Sequence, residues 1–349
     1  MQGIITPDQL STAEVIADPY PAYRQLREHS PVNYMFIPAE ALPGLDEPIR
    51  AWAFLKYDDV YNALRDHETF SSIRPAKWAK FWPPLLLIED DPPRHTRFRR
   101  LVNKAFTLRR VEALTPWIAA VAEELLDEFG ATEAEVVQGY TIPLPVKVIA
   151  RLLGVPGEEY RDFKSWSDAF ISFGPTDKDE NARKVQDMVA YFGKMAAARR
   201  AQGAGDLISA LVEAEVEGEK LEDWEVLGFS MLLLIAGNET TTNLIGNTLN
   251  VLADRPKLWT RLREDRSLIE NVIDESLRYE SPVHWPVTRR ARSRSQAWKF
   301  RPVTALTFSM ARRIEIRRSF QTLTNSGSTA TCATISLSDQ EFTTAWVRL

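Results

Sequence analysis

The chain has 349 residues, 44% of them apolar and 10% aromatic, which is enough to bury a large core. Its formal charge of −5 gives no electrostatic reason to expect nucleic acid or an anionic membrane surface as partner. A lone cysteine, Cys332, excludes an intramolecular disulfide framework and a cysteine zinc cluster, and fits a reducing cytoplasm.

From the start of the chain, Met1 to Tyr20 is polar and acidic, without the basic and apolar regions of a signal peptide. Asp18-Pro19-Tyr20-Pro21 opens a helix over Ala22–Glu28. Ala51–Tyr57 reads as a strand and Asp58–His67 as a short helix. Apolar residues at helical spacing predict helices over Val111–Phe129, Ile142–Leu153, Glu158–Ser172 and Glu180–Gln202. Gly203-Ala204-Gly205 breaks the last of these, and Asp206 is placed to cap the next. Leu221–Ala253 is a very long helical pattern ended by Pro256, and Leu258–Tyr279 another, stopped by Ser281-Pro282. The most apolar run, Val226 to Gly237, falls short of the roughly 18–20 residues of a membrane span, so a soluble protein is expected. No internal repeat is present.

Three stretches carry chemistry. Asp91-Pro92-Pro93-Arg94-His95-Thr96-Arg97-Phe98-Arg99-Arg100 starts a helix on which His95 and Arg99 share a face, a cationic grip suited to carboxylates. The plainer reading is a solvated basic helix face. Ala236-Gly237-Asn238-Glu239-Thr240-Thr241-Thr242 puts acid, alcohol and glycine at the centre of a greasy helix, where polar groups need partners. Gly237 weakens the helix there, and a hydroxyl can open its ladder for a small ligand, with Glu239 and Thr240 relaying protons. Equally open is a threonine cluster bonding back to the preceding turn. Glu275-Ser276-Leu277-Arg278 sets an acid and a base three apart, ordinarily a weak surface pair.

In this order and spacing the three stretches resemble the cytochrome P-450 family of haem-thiolate monooxygenases, in its soluble bacterial form. Val287-Thr288-Arg289-Arg290-Ala291 resembles the family's following strand, and Asp18-Pro19-Tyr20-Pro21-Ala22-Tyr23 its opening. The resemblance covers residues 1–291 and implies a mainly helical single domain with a small β region. It implies haem b as cofactor, with His95, Arg99 and Arg289 on the propionates and Ala236 and Gly237 beside bound oxygen. Glu239 and Thr240 would deliver protons, and Glu275 and Arg278 would form a structural ion pair. Electrons would come from a ferredoxin or flavodoxin with its NAD(P)H-dependent reductase, since the chain has no dinucleotide fingerprint. An apolar substrate would meet residues among Trp82 to Leu87 (Leu85 and Leu86 above all), Phe170, Leu233, Val283 and Trp285.

The resemblance stops where the iron ligand belongs. From Arg292 the composition changes to nine basic residues against three acidic ones, crowded with serine and threonine and without periodicity. Such a tail is expected to have no evolved structure. The family's loop, F-G-x-G-x-H-x-C-x-G, is absent, and Cys332 sits in Thr331-Cys332-Ala333-Thr334, which lacks every feature of it. Reading the codons of Ala333 to Leu349 one base earlier permits N-H-L-S-F-G-S-G-I-H-Y-C-L-G-A-L, which resembles the missing loop. A frame error near the codons of Arg292–Arg294 is therefore expected. Two other readings stand beside this one. The first is an inactive, truncated scaffold that binds haem weakly or not at all. The second is a helical small-molecule binder unrelated to haem.

Overall fold

A computed structural model describes Thr12, Val15 and residues 18–37, 49–73, 85–129, 134–156, 159–171, 178–282, 287–291 and 305–308. Helices dominate it, as the periodicity requires. The described residues fall into two compact units, one drawn from residues 1–101, 171–183 and 284–312, the other from 102–170, 184–283 and 313–349.

The first unit holds the β structure. Helix α1, Tyr20–His29, starts on Pro19 and Pro21 and buries Ala22 and Leu26, four apart on one face. Strand β1, Val32–Ile37, pairs antiparallel with β2, Ile49–Phe54, in a register running from Val32 opposite Phe54 to Ile37 opposite Ile49. Helix α2, Tyr57–Arg65, carries Asp58 and Asp59 at its positive end and Arg65 at its negative end. Its buried Val60 and Ala63 pack with Phe54 and Phe70, whose rings meet edge to face at 6.3 Å. Phe70–Ser71 is the short strand β3.

Helix α3, Arg94–Ala105, follows. Expected as one helix, Val111–Phe129 is instead two, α4 at Leu108–Glu112 and α5 at Thr115–Asp127. Thr107 caps α4 by accepting from the Arg110 amide, and Pro116 starts α5 afresh, so the chain turns between them. A π-helical turn at Val137–Thr141 leads into α6, Pro143–Leu153. Helix α7 spans Tyr160–Ile171, α8 Lys178–Ala201 and α9 Leu207–Glu213. Asp206 caps α9 as the sequence suggests, accepting from the Ser209 amide at 2.8 Å. A two-stranded ribbon, β4 at Glu215–Val216 and β5 at Glu219–Lys220, precedes the longest helix, α10, Asp223–Ala253.

Helix α10 is the axis of the second unit. A capping box between Glu222 and Glu225 fixes its start. Buried Ile245 meets Val121, Ala122 and Leu125 of α5, Tyr140 of the π-turn and Leu144 of α6 in one apolar cluster. The pattern over Leu258–Tyr279 also divides, into α11 at Pro256–Glu264, a 3-10 turn at Arg266–Leu268 and α12 at Ile269–Tyr279. Pro256 begins a helix here as well as ending one, and Asp265 caps the turn by accepting from the Ser267 amide at 3.1 Å.

Val287–Ala291 forms strand β6, and Ala305–Phe308 forms β7. The sheet order is β1-β2-β7-β6-β3, with β7 parallel to β2 and antiparallel to β6. No strand was expected beyond Ala291. Thr307 and Phe308 are nonetheless residues that favour extended backbone, and β2 offers them a free edge. Among the described residues no helix is long and apolar enough to cross a membrane.

Candidate active site

Helix α3 is anchored at its start by two buried carboxylates. Asp91 accepts from the Ser71 hydroxyl at 2.5 Å and the Ser72 amide at 2.9 Å, tying the helix to β3. Asp90 accepts from the Leu87 amide at 2.8 Å and pairs with Arg94 at 3.3 Å. Phe98 and Leu101 are fully buried beneath. The basic residues of the helix then sort themselves. Arg94 and Arg97 lie over the Phe98 ring, Arg100 is engaged, and Lys104 donates to the Glu215 carbonyl. The side chains of His95, half-buried, and Arg99, exposed, have no hydrogen-bond or ion-pair partner among the described residues. A histidine and an arginine on one face, left without a carboxylate among the described residues, suit an anionic ligand.

In the second unit α10 runs unbroken from 223 to 253, so its polar stretch does not open the backbone ladder. The Thr240 hydroxyl donates to the Ala236 carbonyl at 2.7 Å, which is the back-bonded arrangement. Much of the stretch is nevertheless accessible, although Asn238 within it is fully buried. Ala236 is exposed and Gly237, Glu239, Thr240 and Thr241 are half-buried, while Leu234, Ile235, Thr242, Leu244 and Ile245 are buried. Gly237 lets α6 come close: a β-carbon there would lie 3.3 Å from Ile149 Cδ1.

Glu239 accepts from Lys164 Nζ at 3.2 Å and from the Asn238 amide at 3.3 Å. Lys164, on α7, also pairs with Asp168 one turn on. Burial opposes the charge on Lys164, but the Asp168 hydrogen bond and the charges of Glu239 and Asp168 outweigh it and hold the ammonium above its usual range. Helix α7 is set by Phe163, which meets Tyr191 and Phe192 of α8 edge to face at 5.4 and 5.6 Å. Nothing local marks Lys164, since its partner is 75 residues away.

Glu275 and Arg278 on α12 form a two-point pair, Nε to Oε2 at 2.7 Å and a terminal nitrogen to Oε1 at 2.5 Å. Asn243 and Asn247 of α10 donate to the carbonyls of Pro282 and Glu280, tethering the chain that leaves α12. These asparagines carry no motif, and sequence reasoning missed them.

Of the expected substrate-facing residues, Leu86 and Phe170 are buried and Leu85 and Leu233 half-buried. Val283, Trp285, Cys332 and residues 82–84 lie outside the described residues, as does the Arg289 side chain. His95 and Arg99 belong to the first unit, and Ala236 to Thr240 and the Glu275–Arg278 pair to the second.

The family model for cytochrome P-450 matches residues 140–297. A putative cytochrome P-450 of Bacillus subtilis, YjiB, is 38% identical over 79% of this chain and 68% of its own length. Cytochrome P-450 107B1 of Saccharopolyspora erythraea is 36% identical, over 79% of this chain and 70% of that protein. The chain belongs to the cytochrome P-450 family. A solved cytochrome P-450 from Chondromyces apiculatus agrees, with a TM-score of 0.73 and 35% identity over 87% of this chain and 76% of that one.

The P-450 family consists of haem monooxygenases, with haem b as cofactor and O2 and small molecules as substrates. The donors in this chain fit that cofactor at one end. The side chains of His95 and Arg99, unpaired among the described residues, are donors of the kind that hold carboxylates. At the other end they do not fit: the sequence holds no cysteine loop to ligate the iron.

Proposed function

We propose that residues 1–291 are the body of a P-450 monooxygenase that hydroxylates an apolar small molecule, and that the chain as written is inactive because it has no thiolate. The unpaired His95 and Arg99 carry this reading. On α3 they would hold the cofactor's carboxylates. On α10, Ala236 and Gly237 would give a ligand room, while Glu239, tethered by Lys164, and Thr240 would move protons toward it. Relatives support an apolar substrate. One from Pseudonocardia autotrophica is a vitamin D(3) 25-hydroxylase, and a Bacillus megaterium member has been solved with corticosterone and with testosterone. Electrons would arrive from a separate ferredoxin or flavodoxin and its reductase.

The test is haem titration of the expressed chain, followed through quenching of its tryptophans. Binding should weaken several-fold in His95→Ala and in Arg99→Ala, and further in the double variant. Equal affinity in all four proteins would remove the grip. A reduced, carbon monoxide-treated sample of the chain as written should show no thiolate band. Appearance of that band would make Cys332 a ligand and overturn the inactive reading.

A further inference from the structure

We infer that the chain beyond about Arg292 is an out-of-frame reading of the segment encoding the P-450 cysteine loop. The iron-binding cysteine of this locus is then specified by the codon that straddles Thr344 and Ala345. The inference rests on the functional reading above, because it explains the one place where the donors fail.

Two observations put the break near Arg292. The composition changes there, from a chain rich in helical periodicity to one crowded with arginine, serine and threonine. The family match ends at residue 297, and relatives related over 79% of this chain are matched over only 68–70% of their own lengths.

The genetic code makes the tail informative. When a codon is read one base early, it takes the last base of one residue and the first two of the next. Some residue pairs leave little or no choice. Trp346-Val347 can give only glycine, the last residue of F-G-x-G-x-H-x-C-x-G. Phe342-Thr343 gives only tyrosine or histidine, at the motif's histidine. Gln340-Glu341 gives only glycine or arginine, at its second glycine. Thr344-Ala345 gives cysteine, arginine, serine or glycine, at its cysteine. Ser338-Asp339 and Leu337-Ser338 permit the first glycine and the phenylalanine. All six fixed positions are allowed at the correct spacing with no insertion, and the last of them is forced.

The same shift holds upstream without re-phasing. Trp298-Lys299 forces glutamate within a permitted V-E-I-P-A-G, and Met310-Ala311 forces glycine within N-I-F-Y-G-S-A-N-R-D. Phe320-Gln321 gives only serine or proline, and Gln321-Thr322 only asparagine or aspartate, within F-P-D-P-D-K-F. A single shift that satisfies restricted pairs from Trp298 to Val347 describes one coding segment displaced by one base.

The gene should be sequenced from the codon of Pro286 through the stop. The expected result is an open shifted frame that reads the loop, has TGC across Thr344 and Ala345, and continues past Leu349. A stop before that codon, or arginine, serine or glycine at it, overturns the inference. The chain as written and a version with one base restored are then expressed with haem. A thiolate band from the restored protein alone supports both the frame and the function. If the loop is encoded but the restored protein binds no haem, the frame stands and the functional reading falls.

Discussion

Tyr140 shows how a single buried polar atom sets both stability and its pH dependence. Its ring belongs to the α5–α6–α10 cluster, and its hydroxyl is buried with no partner among the described residues. Replacing Tyr140 with Phe should raise stability by about 1 kcal/mol, because an unsatisfied hydroxyl is removed and the ring kept. Chemical denaturation at neutral pH measures this; a loss would mean that the hydroxyl has a bound partner. Burial also pushes the Tyr140 phenol up to about 12. The folded state then holds this proton more tightly than the unfolded state. The contribution is complete below pH about 10 and is lost as pH rises toward 12. Lys164 acts in the same direction, its raised value making its ion pairs a stabilising contribution below the ordinary lysine pKa and a lost one above it. Lys164→Met should therefore flatten the alkaline limb of the stability curve, and Lys164→Arg should restore stability there. An unchanged limb in Lys164→Met would show that the pair with Glu239 contributes nothing in solution.

At the scale of elements, helix ends decide where the chain turns. Gly154 closes α6 at a φ of +78°, and Arg199 donates both to its carbonyl and to Asp206, the cap of α9. A β-carbon at Gly154 would lie 2.1 Å from Asp206 Oδ2. Gly154→Ala thus combines backbone strain with loss of a cap and an ion pair, and should cost about 3 kcal/mol. Gly205→Ala is the control. Its φ is +76° but nothing lies within 4 Å of the added carbon, so it carries only the strain, about 1 kcal/mol. Equal losses for the two variants in thermal unfolding would remove Asp206 from the account. Gly237 differs from both: it is helical, and its neighbour is the flexible end of Ile149.

For the molecule as a whole, the tail is the part on which sequence and structure divide. Most of it lies outside the described residues, yet Ala305–Phe308 occupies the centre of the first unit's sheet. A chain ended at Ala291 loses β7, leaving β2 and β6 without their shared neighbour. Hydrogen exchange should then accelerate in residues 51–54, while α10 keeps its protection. A chain ended at Arg312 should behave as the full one. Equal exchange in residues 51–54 for both truncations would show that β7 contributes no pairing.

The sequence alone determined the family and the long central helix with its polar stretch. These rest on spacings of three and four, which helix geometry converts directly into shared faces. It also carried the displaced loop, because the genetic code constrains neighbouring residues whatever the fold. The breaks at Thr115 and Asp265 were less legible, since apolar periodicity runs through short turns and a proline can start a helix as well as stop one. Only the tertiary structure decided which cations lack a partner, that Thr240 bonds back to Ala236, and that Lys164 holds Glu239. Such facts depend on which helices pack together. Long-range packing places side chains 75 residues apart within hydrogen-bonding distance, and no local pattern records that.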